Sequence, residues 1–183
     1  MGTKPYVTQN VRHLPEGVIS LAANAPLALR QGYFVRYYDV TLVGSVTTSA
    51  NLTAAATMPG DAWGVVKNLS ITDGDQTYLS LSGEQLVMMA LLQNQETSGV
   101  SLATGATPRA FNNTVRIAMW DRRARRPLDT VFDTRRTGLK MQVTWGTFTD
   151  VASTGTAWAV SPTLIFESTG AQAYRGIIPG TAD

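Results

Sequence analysis

The densest chemistry in this sequence is cationic. Asp121-Arg122-Arg123-Ala124-Arg125-Arg126-Pro127-Leu128-Asp129 is followed by Asp133 and by Arg135-Arg136, so six of the fifteen Lys and Arg residues fall within fifteen positions. A guanidinium carries a rigid fork of donors that fits carboxylates and carbonyl oxygens. Arg122, Arg123, Arg125, Arg126, Arg135 and Arg136 therefore suit an ion-pair and hydrogen-bond network at a subunit interface. Two other readings of the stretch stay open. One is attraction to phosphate on nucleic acid or lipid headgroups; the other is a solvated loop with local Arg–Asp pairs, each worth at most ~1 kcal/mol.

Elsewhere, candidate chemistry is thin. His13 is the single histidine, beside Leu14-Pro15, and a lone imidazole suits a structural or solvated role better than a nucleophile–base device. Asp73 and Asp75 are not followed by the spaced oxygen ligands of a calcium loop and read as turn residues. Glu84 and Glu96 fall at the start and end of one helical pattern, which explains them without a paired-carboxylate mechanism. Asn51, Asn68 and Asn112-Asn113 sit in glycosylation-type triplets, and the scattered glycines form neither a dinucleotide fingerprint nor a phosphate loop. No catalytic residue, cofactor site or metal ligand is expected, and the chain does not read as an enzyme.

The elements that must position these residues follow from composition and periodicity. At 183 residues the length fits one domain. Hydrophobic residues make up 44% and charged residues only 15%, against about 25% in ordinary proteins. Such a surface, paved with Thr, Ser, Asn, Gln and Gly, suits strands and extended contacts. With no cysteine, neither disulfides nor thiolate metal sites hold the fold. Met1-Gly2-Thr3-Lys4-Pro5 lacks the apolar run of a secretory signal, and the expectation is synthesis in a cytoplasm. A net charge of +2 argues against general nucleic-acid coating.

Pro5, Pro15 and Pro26 break residues 1–30 into an arm, with Val18, Ile19 and Leu21 as one short strand. From Tyr33 to Val46, aromatic and β-branched residues predict a long strand, with Phe34, Tyr38, Val40, Leu42 and Val46 on its buried face. Asn51–Met58 is a weaker strand. Val65–Ile71 and Thr77–Leu81 flank Asp73-Gly74-Asp75 as a hairpin. Ser82 as N-cap and Gln85 as its capping-box partner open a helix through Leu86, Met89, Ala90 and Gln93, ending near Gln95. A loop over 96–113 leads to strands Val115–Met119, Leu139–Trp145 and Trp158–Phe166, the last placed at an edge or bulged by Pro162.

Certain phrases in this order resemble something more specific. They are Gly32-Tyr33-Phe34-Val35-Arg36-Tyr37-Tyr38-Asp39-Val40-Thr41-Leu42-Val43-Gly44, Trp63-Gly64-Val65-Val66-Lys67-Asn68-Leu69-Ser70-Ile71 with its Asp73-Gly74 turn, and the helix after Ser82-Gly83. Arg126-Pro127-Leu128-Asp129-Thr130 leading to Leu139-Lys140-Met141-Gln142-Val143-Thr144-Trp145-Gly146 completes the set. Together they resemble the first jelly roll of major capsid proteins from tailless, icosahedral, membrane-containing bacterial viruses. The resemblance covers roughly residues 18–168. It implies upright rolls grouped in capsomers over an internal membrane, and it carries no catalytic residues. Members with two fused rolls are about twice as long, so this chain resembles one roll.

The expectation is thus an all-β, eight-stranded jelly-roll β-sandwich with one short helix. Residues 1–17 form an N-terminal arm crossing to a neighbour, 18–168 the jelly roll and 169–183 a C-terminal tail. The expected role is a self-assembling capsid subunit of the virion, forming homo-oligomers, with a second capsid protein and the viral membrane as further partners and no specific nucleic acid. The rival is a carbohydrate-binding, lectin-like jelly roll with Trp63, Trp120, Trp145 or Trp158 as exposed sugar platforms.

Overall fold

The computed structural model describes residues 11–47, 61–92, 109–119, 131–135, 137–151 and 157–172. Their elements are β1 (Val11–Ser20), β2 (Leu27–Ala28), β3 (Tyr33–Thr47), β4 (Val66–Thr72), β5 (Thr77–Leu81), α1 (Gly83–Leu92), β6 (Arg109–Ala118), β7 (Phe132–Asp133), β8 (Lys140–Trp145) and β9 (Ala157–Gln172). Short 3-10 turns occupy Asp61–Val65 and Phe148–Asp150.

The strands nest as a rolled hairpin. β1 pairs with β9, β2 with β8, β3 with β6 and β4 with β5, all antiparallel. Two further antiparallel pairings, β3 with β9 and β4 with β8, knit these into two sheets of order β1-β9-β3-β6 and β2-β8-β4-β5. The two-residue β7 adds to β3 beyond the end of β6. This nesting is an eight-stranded jelly roll, as expected from the alternation of the strands.

Alternate residues of each strand face inward and fill the space between the sheets. Tyr38, Val40, Leu42, Val115, Ile117, Leu164 and Phe166 come from the first sheet, and Leu69, Ile71, Met141 and Val143 from the second; all are buried. Each such side chain stabilises the fold by roughly 1.5–3 kcal/mol relative to exposure. Trp63, in the 3-10 turn before β4, is fully buried with them.

The hairpin and helix form as their residues require. Asp73 Oδ1 accepts the N–H groups of Asp75 at 3.1 Å and Gln76 at 2.8 Å, while Gly74 adopts φ of 100°, the left-handed conformation this turn needs. The Ser82 N–H donates to Gln85 Oε1 at 2.8 Å and the Gln85 N–H to Ser82 Oγ at 3.2 Å, closing the capping box. Leu86, Val87 and Ala90 of α1 are buried and Met89 is half-buried against the core, so Val87 joins the expected inner face, while Gln93 lies outside the described residues.

Several sequence expectations change. In β3 the register shifts between Val35 and Tyr37, so Val35 turns inward and Phe34 is only half-buried. Pro162 does not mark an edge, because β9 lies between β1 and β3. It is accommodated where the β3 register shifts between Val43 and Ser45, and where β1 has ended on the other side; the Leu21 N–H still reaches the Pro162 carbonyl at 2.9 Å. Beyond that bulge Val160 leaves the expected buried face and is 60% exposed.

The ordered sheet also outruns the expected 18–168 core. β1 begins at Val11 and pairs with β9 of its own chain, so residues 11–17 of the expected 1–17 arm belong to the sandwich, and β9 reaches Gln172 inside the expected 169–183 tail. The expected 96–113 loop loses its last residues to β6, whose Phe111 and Asn113 continue the inward alternation of Val115 and Ile117. Residues 1–10, 93–108 and 173–183 and the weak strand Asn51–Met58 lie outside the described residues.

Candidate interaction surfaces

The outer face of the first sheet is a grid of four cross-strand rows. Val18, Ile165, Thr41 and Thr114 stand in one, and Ser20, Thr163, Val43 and Asn112 in the next. Neither row carries a charge. The hydroxyls of Thr41 and Thr114 lie 2.8 Å apart, and Val18 is largely exposed.

Charge is confined to the other half of the grid. Glu167 of β9 faces Asp39 of β3, which faces Arg116 of β6; the adjoining row is His13, Thr169, Tyr37 and Ala118. Arg116 Nε and Nη2 donate to Asp39 Oδ1 and Oδ2 at 2.7 and 2.9 Å, and the hydrogen bonds raise the guanidinium further above its ordinary range. His13 contacts Thr169 Oγ1 through Nδ1 at 2.9 Å and Glu167 Oε2 through Nε2 at 3.0 Å. The histidine thus has the structural place that its sequence context suggests. Neither pairing was legible, because partners so far apart in the chain meet only through strand register.

On the side of this sheet that faces the core, Ser168 Oγ donates to Glu16 Oε1 at 2.5 Å, and the Arg30 N–H donates to Glu16 Oε2 at 2.9 Å. The Tyr38 hydroxyl is buried with no hydrogen-bond partner among the described residues. Burial, aided by the charge of Glu16, pushes it well above the usual tyrosine range.

Of the six arginines assigned to an interface, Arg135 alone falls among the described residues. It turns back on its own strand: Nη2 meets Asp133 Oδ2 at 2.5 Å, and the guanidinium carbon sits 5.0 Å from the centre of the Phe34 ring. Arg122, Arg123, Arg125, Arg126 and Arg136 lie outside the described residues. Their segment joins β6 of one sheet to β8 of the other, pinned midway where β7 pairs with β3.

The sugar-platform reading loses its best candidates. Trp63 is buried, Trp158 packs edge-on against Phe111 and Phe148 with ring centres 6.2 and 4.8 Å away, and Trp145 is half-buried. Trp120 is outside the described residues. Instead, the exposed large apolar residues include Met88, Leu91 and Leu92 of α1, with Leu92 79% exposed. Among the described residues no group of three His, Cys, Asp or Glu side chains could hold a metal ion, and no helix is long and apolar enough to cross a membrane.

The nested strand order defines the class of fold, a jelly-roll sandwich. Solved structures that share this fold include the crystal structure of the STIV major capsid protein, with a TM-score of 0.61 and 17% identity, and the atomic structure of Sulfolobus Turreted Icosahedral Virus, with 0.61 and 18%. Each match covers 90% of this chain, but only 49% and 46% of the respective chains, so this chain spans about half the length of its structural relatives. No protein-family model and no curated protein matches it.

Proposed function

We propose that the chain is a coat subunit of an icosahedral virion, and that its activity is assembly with copies of itself into capsomers. The observation that carries this reading is the nested strand order, shared over nearly the whole chain with two viral capsid structures. The grid on the first sheet supports it, because a face with two charge-free rows loses little hydration when a neighbour covers it. In this reading the chain is made in the host cytoplasm and resides in the virion. A second capsid protein and the internal viral membrane are its further partners, and Arg122–Arg136 lies at a subunit boundary.

Light scattering on size-exclusion fractions over a concentration series, with negative-stain imaging of any assemblies, tests the proposal. Concentration-dependent oligomers, or shells or sheets formed with virion components, are expected. A chain that stays monomeric at high concentration and inert toward virion components would overturn it.

A further inference from the structure

We infer that the outer edge of β6 is a self-pairing edge, on which β6 of a second copy adds antiparallel and joins the first sheets of both copies into one. The inference rests on the coat-subunit reading, in which copies assemble, and it names the strand through which two of them meet.

The edges of the sandwich are unequal. Among the described residues the first sheet ends at β1 and β6 and the second at β2 and β5. β2 has two residues and β5 has five, and such short edges offer little ladder to a partner. β1 is long but blunted, because Pro15 brings no N–H and the register with β9 shifts between Pro15 and Gly17. β6 has ten residues, without proline or glycine, and its register with β3 runs unbroken from Arg109 opposite Val46 to Ala118 opposite Tyr37. It lacks the devices that guard the other edges.

The phase of the ladder shows which backbone groups β6 turns outward. Just past Ala118, the Met119 N–H donates to the Arg36 carbonyl at 2.8 Å. Antiparallel partners exchange bonds at every second position, so Ile117, Val115, Asn113 and Phe111 direct their N–H and C=O groups to β3. Ala110, Asn112, Thr114, Arg116 and Ala118 direct theirs away from it. These residues are exposed, although α1 also packs against β6.

The occupant follows from symmetry and charge. About a two-fold axis, the same outward residues of both copies meet across the new ladder, which keeps the buried faces of the two sandwiches on one side. A register centred on Thr114 sets Asn112 opposite Arg116 and Ala110 opposite Ala118. Arg116 then faces an amide and not a second cation, and Asp39 already answers its charge. β1 of another copy makes a poorer partner, since its proline and bulge interrupt the ladder.

Thr114→Pro removes an outward N–H and no bond to β3, whereas Thr114→Val keeps the N–H and loses only the hydroxyl contact with Thr41. Circular dichroism melts establish that each variant folds. In sedimentation velocity over a concentration series, the unmodified chain and Thr114→Val are expected to dimerise, and Thr114→Pro to dimerise about tenfold or more weakly. Thr114→Cys, in a chain with no other cysteine, identifies the partner directly. A short thiol-to-thiol cross-linker is expected to capture a homodimer joined through position 114. Equal association of a folded Thr114→Pro, or a dimer that Thr114→Cys does not cross-link, would overturn the inference, and shells still seen by negative-stain imaging would leave the coat reading standing. Monomers in every form, inert toward virion components, would overturn the coat reading itself.

Discussion

Arg116 on β6 grips Asp39 on β3 through both carboxylate oxygens, while its guanidinium carbon lies 3.9 Å from the centre of the Tyr37 ring. Asp39 is only 8% exposed, so the pair sits at the margin of the sandwich and not in open solvent. Arg116→Met leaves that carboxylate without the cation, and unfolding in urea is expected to show a loss of about 1–2 kcal/mol. Asp39→Asn in the same background should recover part of it, since the stranded charge is then gone.

Gly83 opens α1 against Trp63. A Cβ at position 83 would lie 2.0 Å from the Trp63 carbonyl oxygen, a backbone atom that cannot rotate away. Gly83→Ala should therefore destabilise the fold by about 1–3 kcal/mol despite the better helix propensity of alanine. A fall in melting temperature followed by circular dichroism checks this; an unchanged value would show that helix and turn can separate freely.

Asp150 fastens the turn before β9. Lys67 Nζ lies 2.6 Å from Oδ1 and the Thr147 N–H donates to Oδ2 at 2.6 Å; the Lys67 contact and then this hydrogen bond hold the carboxyl below its ordinary range. A lowered folded value means that the stabilisation is present above the ordinary carboxylate range and is lost as pH falls from about 4 through the lower folded value. Asp150→Asn should cost about 0.5–1 kcal/mol at neutral pH and flatten the acid limb of the stability profile. Denaturant titrations at a series of pH values would expose a parallel, unflattened limb.

For the arginine-rich connection, Arg125→Ala with Arg126→Ala should weaken assembly and make it more salt-sensitive, with the melting temperature of the isolated domain nearly unchanged. Equal loss of domain stability would mean that these side chains brace their own fold. Intact assembly with lost binding to anionic vesicles or nucleic acid would favour the phosphate reading.

The strands were legible because their inner faces alternate so regularly: Val115 with Ile117, Leu139 with Met141 and Val143, and Leu69 with Ile71 are all buried. The capping box of Ser82 and Gln85 was equally local and appears as read. Pro162 announced an edge or a bulge, and the bulge is what formed; the shift that turns Val35 inward was not legible, since it depends on the neighbouring strand. The N-terminal segment misled for the same reason. Val11–Pro15 has no partner nearby in the sequence, but β9 supplies one from the far side of the fold. Deleting residues 1–17 would thus remove a strand as well as any arm. The surface rows, with Asp39, Arg116, His13 and Glu167, exist only once that register is set.

The nested pairing also governs how the chain acquires its shape. β4 and β5 can close early through their short turn, whereas β1 waits for β9, and β2 for β8, across most of the described chain. Contacts so distant in sequence carry their loop-closure entropy before any packing rewards it, which makes such topologies slow to fold. During synthesis, the central place in the first sheet stays vacant until β9 has left the ribosome. The half-formed sheet then presents both flanking edges at once, so chaperone engagement or crowding at that moment bears directly on the yield of native chains.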